Sequence, residues 1–356
     1  MANIINQKKH EEHEIINVAV ILPVYNTALY LEECLDSLLN QTYKHFTIFA
    51  VNDGSSDNSG EILDAYAKKD SRIHVINKTN GGVSSARNVA LNKISEDNSF
   101  DLVCFTDSDD FVTPSFLDTY VEYARRYKAD YIVCGWAPFD KKGAIDRKQL
   151  TTNTPPKEVD RYGAFQHAYS IGDWKKLHLA STSYFLANRC FAWKTIQNNR
   201  FDETMSVGED QDFLVRAILN INKGLIVNEI NYMYRQRSSS LSHTINDAST
   251  DIVILLSLIS KTKNFPDSIN IGLLQRATEL WWQSVRYAIL TNTFLQHNLR
   301  LTKAYKRLRM LSNSVPLPPR VKKRFKIFSL GECFLKIYFF FTNQRIIKNN
   351  SESNFD

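Results

Sequence analysis

The sequence predicts an α/β protein built on a doubly wound, mainly parallel sheet with a helical C-terminal extension. Short apolar runs rich in β-branched residues alternate with segments in which apolar residues recur at helical spacing. This pattern is typical of parallel strands that are joined by crossover helices and covered on both faces. Such crossovers bring the carboxyl ends of the strands to one edge of the sheet, the carboxyl rim, where ligands of these sheets bind.

The predicted elements follow one another at short intervals. Asn58, three residues before Glu61, resembles a capping box at the start of the second helix, and Thr113 before Pro114 marks the start of the fourth. The polar stretch 140–159 interrupts the pattern and is expected to be a surface loop. The predicted strands are 18–22, 46–51, 73–76, 102–105, 131–134 and 226–227, and the predicted helices are 31–38, 58–68, 83–93, 113–127 and one that begins near 209.

Composition limits the kind of protein. The five cysteines are scattered without close pairs, which argues against a disulfide framework or a zinc knuckle and suits a reducing cytosol. The first 16 residues are polar rather than signal-like, and no run of about 18 apolar residues occurs, so we expect a cytoplasmic protein without a membrane-spanning segment. The formal net charge is +6, and the positive charge is concentrated in 300–348, where Glu332 is the single acid.

Four polar loops follow predicted strands and therefore fall on the carboxyl rim; they are 23–26, 52–57, 78–87 and 107–110. Each holds groups that suit a nucleoside diphosphate. Tyr25 offers a ring to stack on a base, Asp53 can accept a hydrogen bond from an imide or a ribose hydroxyl, and Arg87 suits a phosphate. Taken singly, Tyr25 is as well explained as a half-buried aromatic and Asp53 as a turn residue. Their convergence on one rim favours binding.

The last of these loops carries three carboxylates within four residues, Asp107, Asp109 and Asp110. Negative charges this close are costly unless a cation neutralises them, and carboxylate oxygens are the ligands that Mg²⁺ and Mn²⁺ prefer. The alternative is a polar strand-to-helix loop whose aspartates cap the next helix. The neighbouring loops favour a bound Mn²⁺ or Mg²⁺.

These loops, in this order, resemble the nucleotide-sugar half of the family 2 glycosyltransferases, which have the GT-A fold. The matching stretches are 23–26, 51–57, 80–88 and 107–110, and the resemblance extends over roughly 18–243. It implies a donor site with Tyr25 and Asp53 at the base, Arg87 near the diphosphate, Asp107 at the ribose and Asp109 on the metal. Pro23, Asn26, Gly82 and Ser108 lie in the same motifs and complete this predicted set. A dinucleotide dehydrogenase is disfavoured, because no G-x-G-x-x-G follows the first strand.

The same resemblance continues in 201–203 and 208–210, which are similar to the acceptor side of the family. It implies that Asp210 is the general base, with Glu209 beside it. The chemistry needs such a group, because a sugar hydroxyl is a poor nucleophile near neutral pH and a carboxylate within reach can take its proton. The alternative is that both acids only stabilise the start of a helix through its dipole.

Further along, 234–240 is similar to the family segment that closes over the donor. The resemblance implies that Arg235 and Arg237 cover the diphosphate and that His243 is a further metal ligand. Two ordinary explanations stay open. The arginines are equally typical of a strand edge, and a lone histidine of a solvated loop.

The domain organisation predicted is a flexible polar leader (1–16), a GT-A catalytic domain (17–245), a helical extension (246–315) and a basic amphipathic tail (316–356). Trp281 and Trp282 in the extension are more typical of a core than of a sugar platform. In the tail, one helical face carries Val321, Phe325 and Phe328, and the cations lie opposite. This profile favours binding to an anionic membrane surface. The alternatives are a solvated basic face or a contact in a homo-oligomer, and nucleic acid is disfavoured.

Together these observations predict an inverting, metal-dependent glycosyltransferase that moves a hexose or N-acetylhexosamine from a UDP-sugar to a hydroxyl of a glycan, lipid-linked or protein-linked acceptor. We expect it on the inner face of the cell membrane, in bacterial surface-glycan assembly. A nucleotide-sugar hydrolase would use the same rim with water as the acceptor. A catalytically idle carbohydrate-binding or scaffold subunit would keep the fold and lack the base.

Overall fold

A nine-stranded sheet runs through the computed structural model of the chain, which describes residues 15–139, 155–168, 186–205 and 208–236. It also describes helical residues at 271–274, 277–278, 281–282, 285, 302, 305–306, 308–310, 322–324, 326 and 328. The strands are β1 (Val18–Val24), β2 (Phe46–Asp53), β3 (Ile73–Lys78), β4 (Leu102–Phe105), β5 (Phe111–Val112), β6 (Tyr131–Phe139), β7 (Lys157–Val159), β8 (Arg189–Ala192) and β9 (Gly224–Arg235). The helices are α1 (Ala28–Leu39), α2 (Ser59–Lys69), α3 (Gly82–Asp97), α4 (Phe116–Tyr127), α5 (Arg161–Ala168), α6 (Trp193–Ile196) and α7 (Glu209–Leu219).

The strand order is β3-β2-β1-β4-β8-β6-β9-β5, and β7 pairs with β9. The first four positions are parallel, as are β6 and β9. Strand β8 is antiparallel to both β4 and β6, so β6 and β9 run in the same direction as β4. Only β5, β7 and β8 of the described strands run the other way. The mainly parallel sheet predicted from the sequence is confirmed, and its carboxyl rim collects the ends of β1, β2, β3, β4, β6 and β9.

Apolar side chains fill both faces of this sheet. Along β1, Val18, Val20 and Leu22 belong to one hydrophobic cluster, with α1 and α4, while Ala19 and Ile21 belong to another, with α3 and α7. All of these side chains are fully buried. Burial on both faces explains why the strand is apolar throughout instead of alternating.

The second cluster, which contains Ala19 and Ile21, also takes in apolar residues of the C-terminal helices. Trp281 is fully buried and Trp282 is 8% exposed, so the prediction that they are core residues is confirmed. The ring of Phe328 lies 4.8 Å from that of Trp281 and 5.0 Å from that of Tyr305. One of the three apolar residues expected to face a membrane therefore packs on the protein itself. Within the described part of the chain, no helix combines the length and the hydropathy needed to cross a bilayer.

Two helix starts differ from the predicted ones in detail. Asn58 precedes α2 as expected but makes no side-chain cap; the carboxylate of Asp57 accepts a hydrogen bond from the Ser59 amide at 3.0 Å instead. Helix α4 begins at Phe116, later than predicted, because the hydroxyl of Thr113 donates to Asn231 on β9 at 2.6 Å. The loop is thus tied to the sheet and does not cap the helix.

Strand β8 and most of β9 were not predicted. Strand β8 has only four residues and contains Arg189, which is fully buried and donates from Nε to the Tyr131 hydroxyl at 2.8 Å. Strand β9 contains Glu229, whose carboxylate accepts from Thr119 and Tyr123 on α4. Polar residues with such distant partners break the apolar pattern by which a buried strand is identified.

Candidate active site

Asp53 organises the rim at the end of β2. Its side chain is 4% exposed, and its Oδ1 accepts from Lys78 Nζ at 2.5 Å and from the Gly81 amide at 3.0 Å. Its Oδ2 accepts from the amide of Gly82 at 2.8 Å. The carboxylate thus fixes the glycine turn that opens α3. Gly82 itself has φ +85°, a left-handed conformation that glycine adopts without steric cost.

The loop after β1 lies beside this turn. Asn26 adopts φ +52°, and its Oδ1 accepts from the Ser56 amide at 2.8 Å, which ties the first rim loop to the second. Pro23 is buried at the end of β1, whereas Tyr25 is 51% exposed. An exposed ring on a fixed loop is available to stack on a planar ligand.

The acidic turn after β4 is held by side chains from other elements. The carboxylate of Asp110 is buried and accepts from the Tyr232 hydroxyl at 2.6 Å and from the Arg235 amide at 2.8 Å. Tyr232 also accepts from the Asp107 amide at 3.2 Å. Ser108 is buried and accepts from Thr27 Oγ1 at 3.0 Å. Asp110 and Ser108 therefore shape the turn, while the Asp107 side chain is 39% exposed at the rim.

Arg235, at the end of β9, clamps this turn from the other side. Its Nε donates to the backbone oxygen of Asp109 at 2.7 Å, and its Nη2 pairs with Glu33 on α1. Its guanidinium lies 5.0 Å and 5.1 Å from the ring centroids of Tyr30 and Phe139. Arg237 and His243, the other predicted residues of this segment, lie outside the described residues.

Arg87 connects the acidic turn to the start of α7. Its Nη2 donates to Asp107 Oδ1 and its Nη1 to Glu209 Oε1, both at 3.2 Å, and its side chain is 8% exposed. Burial alone would lower the pKa of Arg87, but the carboxylates of Asp107, Glu209 and Asp210 raise it. The predicted donor side and the predicted acceptor side therefore meet at one guanidinium.

Asp210 follows Glu209 at the start of α7 and is partly buried. Burial, and after it the charge of Glu209, raise the pKa of Asp210 to about 7, although Arg87 and the Gln211 amide act in the opposite direction. The amide of Gln211 donates to Asp210 Oδ1 at 2.7 Å. A carboxyl with a pKa near 7 can both take and release a proton at neutral pH, which is the property of an efficient general base.

The donor atoms at the acidic turn fit a divalent cation. Burial, followed by the charges of Asp109 and Asp107, raises the pKa of Asp110 well above its usual value, so these aspartates repel one another and a cation would relieve the repulsion. In the described part of the chain, no group of three or more His, Cys, Asp or Glu side chains is arranged to hold a metal. Mg²⁺ and Mn²⁺ need only one or two carboxylates when substrate phosphates complete the shell. Asp109 is the residue that would hold the cation.

Several residues of the site were not singled out from the sequence. Lys78, Tyr232, Glu33 and Thr27 each contact a predicted residue, and Lys78 is the last residue of β3, directly at the rim. A cation that ends a predicted parallel strand is a usable indication of a rim site. Tyr232, Glu33 and Thr27 have no such pattern, because their partners are 81 to 202 residues away in the chain.

A cavity of about 1200 Å³ lies away from these residues. It is lined by residues at the amino ends of β1 and β4 and by the C-terminal half of α4, so it belongs to the opposite edge of the sheet. None of the predicted site residues lines it. The chemistry described above therefore concerns the carboxyl rim and not this cavity.

Residues 19–192 match the model of the family described as glycosyl transferase family 2. The chain is 33% identical over 248 residues to the glycosyltransferase GlyA of Streptococcus pneumoniae, which covers 67% of this chain and 34% of GlyA. It is 32% identical over 227 residues to EpsJ, an uncharacterized glycosyltransferase of Bacillus subtilis, which covers 63% of this chain and 62% of EpsJ. The chain thus spans about a third of the length of the first relative and under two thirds of the second.

The fold has a solved counterpart. The crystal structure of S. aureus TarS 1–349 in complex with UDP-GlcNAc has a TM-score of 0.67 and 19% sequence identity, and the likeness covers 94% of this chain and 92% of that one. At this identity the likeness concerns the fold alone. The predictions of fold and family are confirmed: the chain belongs to glycosyltransferase family 2, whose model matches residues 19–192, and it has the GT-A type of fold.

Proposed function

We propose that the chain is an inverting glycosyltransferase that moves a hexose or N-acetylhexosamine from a UDP-sugar to a hydroxyl of a glycan, lipid-linked or protein-linked acceptor. One observation carries the proposal. Arg87 contacts Asp107 and Glu209 at the same time, so the acid expected at the ribose and the acid next to the expected base line one cleft. A donor sugar and an acceptor hydroxyl that meet in this cleft would have a carboxylate within reach.

The donor is proposed to lie across the carboxyl rim. Tyr25 would stack on the base, the turn fixed by Asp53 and Gly82 would approach the nucleotide, and Asp107 would accept from the ribose. The UDP-GlcNAc complex of TarS, which shares this fold, supports a UDP-sugar. A divalent cation at Asp109 would supply positive charge that stabilises the departing diphosphate.

The transfer itself requires one proton to move. Asp210 in its ionised form takes the proton of the acceptor hydroxyl as the oxygen attacks the anomeric carbon. The bond between that carbon and the diphosphate oxygen breaks on the opposite face, its electron pair leaves with UDP, and the configuration inverts. Glu209 lies beside Asp210 and pairs with Arg87, so its charge is already compensated.

The tail, residues 316–356, is proposed to bind a membrane or a second copy of the chain. The basic residues of 316–356 would bind an anionic bilayer on its cytoplasmic face, where acceptors for bacterial surface glycans are built. Because Phe328 packs against Trp281, the other apolar residues of the tail would supply the membrane contact. A contact between copies of the chain in a homo-oligomer is the alternative for the same face.

A test with six arms separates the three candidate functions. The full chain is incubated with UDP-glucose, UDP-galactose or UDP-GlcNAc and Mn²⁺, with and without a pool of glycan and lipid-linked acceptors, and UDP and free sugar are quantified. We expect UDP release that depends on the acceptor, together with an inverted anomer in the product. Free sugar without an acceptor would indicate a hydrolase, and absence of UDP release with every donor would indicate a non-catalytic subunit.

A further inference from the structure

The contacts of Arg87 assign it a task other than holding a substrate. Asp107 lies 20 residues further along the chain and Glu209 lies 122 residues further, so this side chain joins two distant segments. Each terminal nitrogen is occupied by a different carboxylate. The remaining nitrogen, Nε, is buried and has no hydrogen-bond partner among the residues that the structure describes.

The surroundings of the guanidinium keep it in this place. It lies over the ring of Phe201 at 5.2 Å, and this ring is stacked on that of Phe213 at 4.2 Å with an interplanar angle of 7°. Phe213 belongs to the first turns of α7 and is fully buried. The ring of Phe201 and the carboxylates of Asp107 and Glu209 therefore contact the Arg87 guanidinium together.

We infer that Arg87 is a positioning residue of the transfer reaction: through Glu209 it holds the start of α7, and with it Asp210, against the donor-side residue Asp107. The inference rests on the proposed function. It gives Glu209 the role of an anchor, so that Asp210 alone exchanges a proton with the acceptor. It also moves Arg87 from the diphosphate, where the family resemblance had placed it, to the junction between the two halves of the cleft.

The contacts of Arg87 with Asp107 and Glu209 also affect the pKa of Asp210, which packing alone would not do. The charged groups facing Asp210 are Glu209 on its own helix, Arg87 on α3 and Asp107 after β4. Arg87 lowers the pKa of Asp210, whereas Glu209 and Asp107 raise it. Removing the Arg87 guanidinium and removing the Glu209 carboxylate must therefore shift the pKa of Asp210 in opposite directions.

The test measures that pKa directly by carboxyl ¹³C NMR of the full chain, labelled at aspartate, with D210N used to identify the resonance. We expect the pKa to rise in R87M and to fall in E209Q, in each case by about half a unit or more. R216M is the matched control, because Arg216 lies on the same helix, pairs with Asp212 and sits 5.8 Å from the ring of Phe213. It should leave the titration of Asp210 unchanged.

Transfer and UDP affinity complete the test. We expect R87M and R87K to lose at least about tenfold in kcat with UDP affinity within about threefold of wild type, because a lysine cannot reach both carboxylates. A loss of UDP affinity equal to the loss of transfer would overturn the inference and make Arg87 a donor ligand. So would an Asp210 titration that moves in neither R87M nor E209Q. If the wild type transferred no sugar, the proposed function would fail, and the NMR titration would still decide this inference.

Discussion

At the scale of single residues, Asp210 is a partly buried carboxyl whose pKa lies near neutral pH. Burial and Glu209 raise its pKa to about 7, compared with about 3.9 in an unfolded chain. The folded state therefore binds this proton more tightly than the unfolded state. Its contribution to stability is present at low pH and is lost as the pH rises from about 4 through about 7.

This pH dependence of stability leads to a prediction for D210N. The amide cannot ionise, so the stability of D210N relative to wild type should be greater at pH 8, where Asp210 is charged in the folded state, than at pH 5, where the folded state keeps it largely neutral. Each unit of pKa difference corresponds to about 1.4 kcal/mol, so a gain of at least about 1 kcal/mol at pH 8 relative to pH 5 is expected. Urea unfolding at the two pH values measures it. A difference that is the same at pH 5 and pH 8 would contradict the assigned pKa.

Tyr232 is the second residue whose chemistry can be tested alone. In Y232F the buried carboxylate of Asp110 loses the hydroxyl that donates to it, and the Asp107 amide loses its acceptor. We expect a cost of about 1–3 kcal/mol in unfolding free energy and weaker UDP binding, because the acidic turn loosens. Y66F, which removes the hydrogen bond between the partly buried Tyr66 and Asp36, serves as control and should cost under about 1 kcal/mol. Equal losses in the two variants would show that the turn does not depend on Tyr232.

At the scale of elements, the site consists of loops whose positions are fixed by the strands and helices that they connect. Strands β1, β2 and β4 could be predicted, because burial on both faces gives each an apolar or nearly apolar run. Strand β8 could not, since it is short and begins with the buried Arg189, whose place in the strand is recognisable only through its partner Tyr131. The rim loops were predictable from where the strands end. The hydrogen bonds that connect one loop to the next were not.

Two glycines in these loops differ in a way that can be measured. Both Gly54 and Gly82 have positive φ, which costs an L-residue about 1–2 kcal/mol. A Cβ on Gly54 would also lie 2.7 Å from the backbone nitrogen of Asn80, whereas a Cβ on Gly82 would have no atom within 4 Å. We therefore expect G54A to lower the unfolding free energy by about 1 kcal/mol or more beyond G82A. Chemical denaturation of both variants checks this, and equal costs would show that the two loops do not pack as described.

At the scale of the whole molecule, the sheet brings the proposed donor residues and the proposed acceptor residues to one edge. The sequence indicated which edge, because parallel strands share their carboxyl rim. The roles proposed for Asp109 and Asp210 come from the family resemblance. The meeting of Asp107 and Glu209 at Arg87 was not predictable, since it depends on packing between segments more than 100 residues apart. The same holds for the pKa of Asp210, which follows from that packing.

The expected cation gives a prediction for the assembled site. UDP affinity, measured by calorimetry, should fall at least about tenfold when Mn²⁺ is removed with EDTA, because the diphosphate loses its counter-charge. In D109A the affinity should be low and insensitive to EDTA. D118A removes an exposed acid from the first turn of α4 and should behave as wild type. Metal-independent UDP binding by the wild type would argue against a cation at Asp109.

The central claim is that one carboxylate across the cleft from the donor acids drives the transfer. Its most direct test is the rate of sugar transfer by wild type and D210N at pH 8, with saturating UDP-sugar, Mn²⁺ and acceptor. We expect at least about a hundredfold loss of kcat in D210N, since a general base accelerates a reaction by a factor of about 10²–10⁴. A D210N enzyme that transfers sugar at the wild-type rate would contradict it.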